Sequence, residues 1–206
     1  MSSSVEPPAR ALDQRTFVEW PSELQALFDG HALASKIGFT ASLITCDARG
    51  HLRTSLLGIG ELYAPDAKSL AFALWPGSRA ARTLGAACAV SAVPAAGVAS
   101  SEPSDSHRRA HAALTFVHGG AFHQVQLEVA PLPGADGEAP GKGLALFIAS
   151  IEAGEAQQVG YARLSSGIAF ELSGETSEQQ SVLARWAHQI DQLRQAADRR
   201  LAAGDR

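Results

Sequence analysis

Sulfur is scarce in this 206-residue chain: it has two cysteines and one methionine. Cys46 and Cys88 lie far apart with no Cys-x-x-Cys spacing, which excludes a disulfide scaffold and a zinc knuckle. Each sits in an apolar stretch and reads as a reduced core residue. Long apolar runs are also missing. None reaches the roughly 18–20 residues that cross a bilayer, and residues 1–10 are Ser- and Pro-rich without an apolar signal core, so a cytoplasmic location is expected. Positive charge is in short supply too, with 17 Lys and Arg against 21 Asp and Glu and a net charge of -4. Nucleic acid is therefore not an expected partner, because a broad grip on phosphates needs clustered cations. No Gly-x-Ser-x-Gly, Walker or Rossmann signature occurs, which leaves hydrolase, NTPase and dehydrogenase readings without residues.

What is present is a globular composition, 46% hydrophobic and 18% charged, in a chain long enough for one core. Residues 1–16 show no periodicity and read as a flexible arm, with a single domain over 17–206. Ser22 to Gln25 has a capping-box spacing that predicts a short helix ending near Gly30 or Gly38. Phe39–Cys46 and His51–Leu62 flank the turn-prone Asp47-Ala48-Arg49-Gly50 and predict a hairpin; Ser69–Trp75 predicts a third strand. A helix from Ser78 to about Ala86 follows, then a strand over Ala87–Val93. Residues 94–106 and 131–143 read as loops. Ala112–Val117 and Ala121–Ala130 flank His118-Gly119-Gly120 as a second hairpin, and Leu144–Ile151 and Gly167–Leu172 are further strand candidates. The chain closes with a helix over 177–203 whose stripe of Val182, Leu183, Trp186, Ile190, Leu193 and Ala197 packs either on the barrel or at a dimer interface. This pattern predicts a mainly β fold, an antiparallel barrel with flanking helices, since closure removes strand edges.

Two segments carry candidate chemistry. In Trp75-Pro76-Gly77-Ser78-Arg79-Ala80-Ala81-Arg82 a strand breaks and a helix opens with a capping hydroxyl, unpaired backbone N–H groups and two guanidinium groups one turn apart, a combination suited to phosphate. In Arg53-Thr54-Ser55-Leu56-Leu57-Gly58, Arg53 and Ser55 share one strand face and need polar partners if buried. Each segment alone is equally well read as a capped surface helix or an exposed strand. His107, His111, His118 and His123 cluster in sequence but fall in loop and hairpin, so metal ligation is not expected. Glu61 and Glu128 read as plain strand residues.

Together, the Asp-x-x-Gly hairpin, Arg53-Thr54-Ser55-Leu56-Leu57, an apolar strand and Pro76-Gly77-Ser78-Arg79 with Arg82 resemble the FMN-binding split barrels related to pyridoxamine 5'-phosphate oxidase. The resemblance is clearest over Phe39–Val93. It implies a Greek-key split barrel with a C-terminal helix and FMN bound by Arg53, Thr54, Ser55, Ser78, Arg79 and Arg82, with Leu74 and Trp75 beside the ring or ribityl chain. It also implies a homodimer with FMN at the interface and a flavin-dependent oxidoreductase acting on a small-molecule substrate or electron donor. A deazaflavin or haem in place of FMN stays open. Gly58 and Ala80 stand where the related oxidases carry lysine, which points away from pyridoxamine phosphate oxidation itself. The same gaps leave open a non-catalytic flavin-binding or sensing module, or a dimeric structural protein with a decayed site.

Overall fold

The structure, a computed structural model, describes residues 12–90, 109–133 and 143–204. Among the described residues eight strands form one antiparallel sheet: β1 (Leu12–Phe17), β2 (Thr40–Cys46), β3 (Leu52–Gly58), β4 (Leu62–Tyr63), β5 (Ser69–Leu74), β6 (Ala110–His118), β7 (Ala121–Leu132) and β8 (Ala145–Val159). Their order is β3-β2-β6-β7-β8-β5-β4, with β1 added beside the distal half of β8. The sheet curls around a core that includes Leu43, Leu57, Phe72, Leu114, Leu127 and Val129, and β3 and β4 stand at its two ends.

β8 organises this arrangement because it serves three neighbours. Its first half pairs with β5, its second half with β1, and nearly its whole length with β7. A bulge places Glu152 between the residues opposite Gln126 and Leu127, which reverses the inside–outside parity of the strand and bends it. Past the bulge Gly154 faces inward, and the Phe17 ring occupies the space where a Cβ would stand.

Three α-helices accompany the sheet among the described residues. α1 (Ser22–Leu27) buries Leu24 and Leu27, and its N-cap is Pro21, without a side-chain cap, so the Ser22 capping box does not form. α2 (Arg79–Val90) buries Ala80, Ala81, Leu84 and Cys88 and packs on β2, β3, β6 and β7, closing one end of the barrel. α3 (Thr176–Gly204) buries Trp186, Ile190, Leu193, Ala196 and Ala197 on the chain's own barrel. Its Trp186 lies over the 3₁₀ turn Ile59–Glu61, where the missing Cβ of Gly60 makes the approach possible.

Several expectations are corrected. Residues 12–16 form most of β1 rather than an arm; residues 1–11 lie outside those described. Ala87–Val90 continue α2 instead of starting a strand, because Cys88 completes the helix's buried face. The strand at 144–151 extends to Val159. Residues 167–172 form no strand; they belong to an irregular strap over 161–175 that lays Gly167 on Val117 and turns the Phe170 ring edge-on to Trp186. Cys46 is exposed, since Thr45 takes the inward position beside it and parity sends Cys46 out. Glu61 belongs to a 3₁₀ turn rather than a strand. The loop expected at 94–106, and His107 with it, lie outside the described residues, as does most of the loop at 131–143. Among the described residues no helix is long and apolar enough to cross a membrane.

Candidate functional site

The two motif segments lie at the same end of the barrel, the one that α2 closes. Strand register establishes this: Arg53 stands opposite Thr45, Thr45 opposite Ala112, Ala110 opposite Val129, Leu132 opposite Leu146, and Ala145 opposite Leu74. The start of β3 and the exit from β5 therefore lie at the same end, with α2 packed against β3.

On the β5 side the chain leaves the sheet at Trp75, whose side chain is 61% exposed. Its carbonyl accepts the Ser78 N–H at 2.8 Å, and the Ser78 hydroxyl accepts the Ala81 N–H at 3.1 Å. Ser78 is thus the helix cap expected from its position, leaving the first N–H groups of α2 at a positive helix end. Arg79 and Arg82 are exposed on the side of the helix away from the core, and neither forms an ion pair among the described residues. Ala80 is 1% exposed and faces the core, so a lysine ammonium there would have to be buried. Leu74 is also buried, which leaves only its backbone for a ligand.

On the β3 side the strand period divides the motif. Arg53, Ser55 and Leu57 are paired with the inward row Thr45, Leu43 and Ala41, whereas Thr54 points to the exposed outer face. Arg53 is not free: its Nη2 lies 3.4 Å from Asp47 Oδ2. Asp47 Oδ1 also accepts the N–H groups of His51 and Arg49, at 3.0 and 2.9 Å, and these bonds with the nearby His51 and Arg53 charges hold its carboxyl below the usual range. The hairpin turn thereby presets the Arg53 guanidinium. Beside it, the Thr45 hydroxyl is buried without a hydrogen-bond partner. Sequence reasoning missed both Asp47 and Thr45. The Asp47-to-Arg53 spacing across a tight turn was the signal available for the first.

At the far end of β3, Gly58 has an ordinary φ of -84°, and its N–H donates to the Glu61 carboxylate at 2.8 Å. Burial pushes the Glu61 carboxyl up, against the opposing pull of that bond and of Arg185. The carboxylate closes the turn that links β3 to β4.

The curled antiparallel sheet with its C-terminal helix is a half-barrel of the split-barrel kind expected from the sequence. No protein-family model matches it, and no curated protein does so in sequence. Solved structures similar in outline include a Lactobacillus delbrueckii protein provisionally described as a pyridoxamine 5'-phosphate oxidase, at 12% identity and TM-score 0.44, covering 67% of this chain and 94% of that one. Group A Streptococcus HupZ overlaps at 12% identity and TM-score 0.40, over 74% of this chain and 99% of its own. An F420 reductase overlaps at 10% identity and TM-score 0.39, over 66% and 98%.

Proposed function

We propose that the chain binds FMN at the barrel end closed by α2 and acts as a flavin-dependent oxidoreductase on a small substrate, as a homodimer. The observation that carries this reading is the pair of exposed arginines, Arg79 and Arg82, without acidic partners among the described residues, beside a Ser-capped helix N-terminus at the end of the barrel where Arg53 is preset. A phosphate monoester fits this donor set: two guanidinium forks, a hydroxyl and backbone N–H groups are all donors, and a dianion accepts from each. The orphaned Thr45 hydroxyl adds a polar atom that awaits a partner. Trp75 offers an exposed aromatic face beside this donor set. When bound, the isoalloxazine supplies the two-electron redox chemistry, and the protein's part is to hold and orient it.

A second copy of the chain is the expected cover for the outer face of β3, where Leu52 is 73% exposed and Leu56 is also open to solvent. Dimerisation there would bring partner residues beside the β3 motif.

Purified protein should show flavin absorbance, or gain it with added FMN, and should elute as a dimer in sizing chromatography. A colourless protein without FMN affinity would sink the reading. Arg79→Ala and Arg82→Ala should each weaken FMN binding by roughly ten- to a hundredfold, the equivalent of about 1.5–3 kcal/mol for a charge-assisted hydrogen bond.

One observation favours a second reading, a flavin-binding module without turnover. The position after Ser78-Arg79 points into the core and has no room for a cation. Flavin reduction by NADH or NADPH followed by reoxidation with an acceptor separates the two: turnover supports the enzyme, and tight binding without reduction supports the module.

A further inference from the structure

Among the described residues the opposite end of the barrel is uncovered. Here the β6–β7 hairpin, the distal ends of β1 and β8 and the start of α1 surround a cleft of about 570 Å³, whose lining includes Asp13, Arg15, Phe17, Glu23, His118 and His123. A barrel mouth of this volume is of small-ligand size. It contains none of the residues assigned to the FMN site.

His123 sets its character. The residue is 3% exposed, and its ring stacks on Phe116 with centroids 4.9 Å apart and planes 14° from parallel. Its Nε2 lies 3.1 Å from the His118 carbonyl oxygen, which assigns the proton to that nitrogen. Nδ1 is then a lone pair, and it is buried with no partner among the described residues. Burial holds the imidazole below its usual pKa, against the opposing pull of the hydrogen bond to the His118 carbonyl and of the Glu23 carboxylate.

The charges of the mouth are unequal. Arg15 is already paired with Asp13 at 3.0 Å, so its cation is spent at the rim. Glu23 forms no ion pair among the described residues. The groups left without a protein partner among the described residues, the exposed Glu23 carboxylate and the buried Nδ1 lone pair, are both acceptors.

We propose that this mouth is a second ligand site that takes a small organic amine, with the ammonium on Glu23 and the body of the ligand between Phe17 and the His123 ring. An ammonium brings three donors and a positive charge, and so complements acceptors and a carboxylate. A carboxylate ligand would meet Glu23 with like charge.

Isothermal titration of the full chain with benzylamine, benzyl alcohol and benzoate tests the assignment, because the three share a ring and differ in charge. Benzylamine should bind saturably, benzyl alcohol more weakly and benzoate not at all. Glu23→Gln should reduce benzylamine affinity at least tenfold. His123→Phe keeps the ring stack but removes the nitrogen acceptor, and should reduce affinity severalfold while near-UV circular dichroism shows the aromatic cluster intact. The proposal is overturned by an absence of saturable benzylamine binding up to about 10 mM, the weak-binding limit. It is equally overturned by benzoate binding as well as benzylamine, or by Glu23→Gln binding as the parent does.

Discussion

At the level of single residues, the most consequential choices concern polar atoms buried without partners. His123 illustrates the energetics. Its folded-state pKa lies below the unfolded value because burial penalises the imidazolium, so the unfolded chain binds more protons once the pH falls below about 6.5. Stability should be fully present above that pH and decline as it falls toward the depressed folded value. His118 and Glu23, the titratable groups that act on the ring, pull in opposite directions, with burial the larger cause. His123→Phe should flatten the acid limb of a urea-denaturation stability profile between pH 7 and 5; an unchanged slope would show that His123 does not carry it. The sequence made Ser78 legible, because a serine after Pro-Gly before a run of alanines has few uses other than as a cap. It did not reveal that Arg53 is held by Asp47, since that pairing depends on the geometry of the turn between them. Nor did it reveal which of two adjacent residues, Thr45 or Cys46, would face inward.

Among the elements, the hairpins β2–β3 and β6–β7 could be read from their turns and alternation, and α3 from its stripe. β1 could not. Its side chains are almost all exposed, and nothing in Leu-Asp-Gln-Arg-Thr-Phe alternates strongly; the backbone pairing offered by the distal half of β8 makes it a strand. The second half of β8 was hidden for a related reason, because the bulge at Glu152 breaks the two-residue period. The end of α2 departs from the strand its residues suggest because a short apolar run fits either state, and packing against β7 decides it. The docking of α3 rests on a smaller detail. Trp186 lies where a Cβ on Gly60 would stand, so Gly60→Ala should cost about 1–3 kcal/mol by forcing the ring out of its seat, measurable as a lowered urea midpoint. A midpoint unchanged from the parent would mean the helix re-docks without strain.

For the whole molecule, the curled sheet separates two polar regions by the length of its strands. Among the described residues, one end is plugged by α2 and carries arginines without acidic partners; the other is an uncovered mouth with an exposed carboxylate and one buried, unpartnered imidazole nitrogen. Only the first was visible in the sequence, because its motifs are contiguous and in a telling order. The mouth draws Asp13, Glu23 and His123 from β1, α1 and β7, and no local pattern joins them.

The Phe17 ring seated on Gly154 has an effect on how the protein behaves in concentrated solution. β1 offers no apolar alternation to fix its register, so that one contact does most of the selecting among possible alignments on β8. Gly154→Val would evict the ring, loosen β1 and leave half of the longest strand as an adhesive border for other molecules. The variant should scatter light and sediment as higher-order species at concentrations where the parent stays dispersed; equal scattering would show β1 is held by its backbone alone. Colloidal behaviour would then turn on the absence of one side chain, far from both sites.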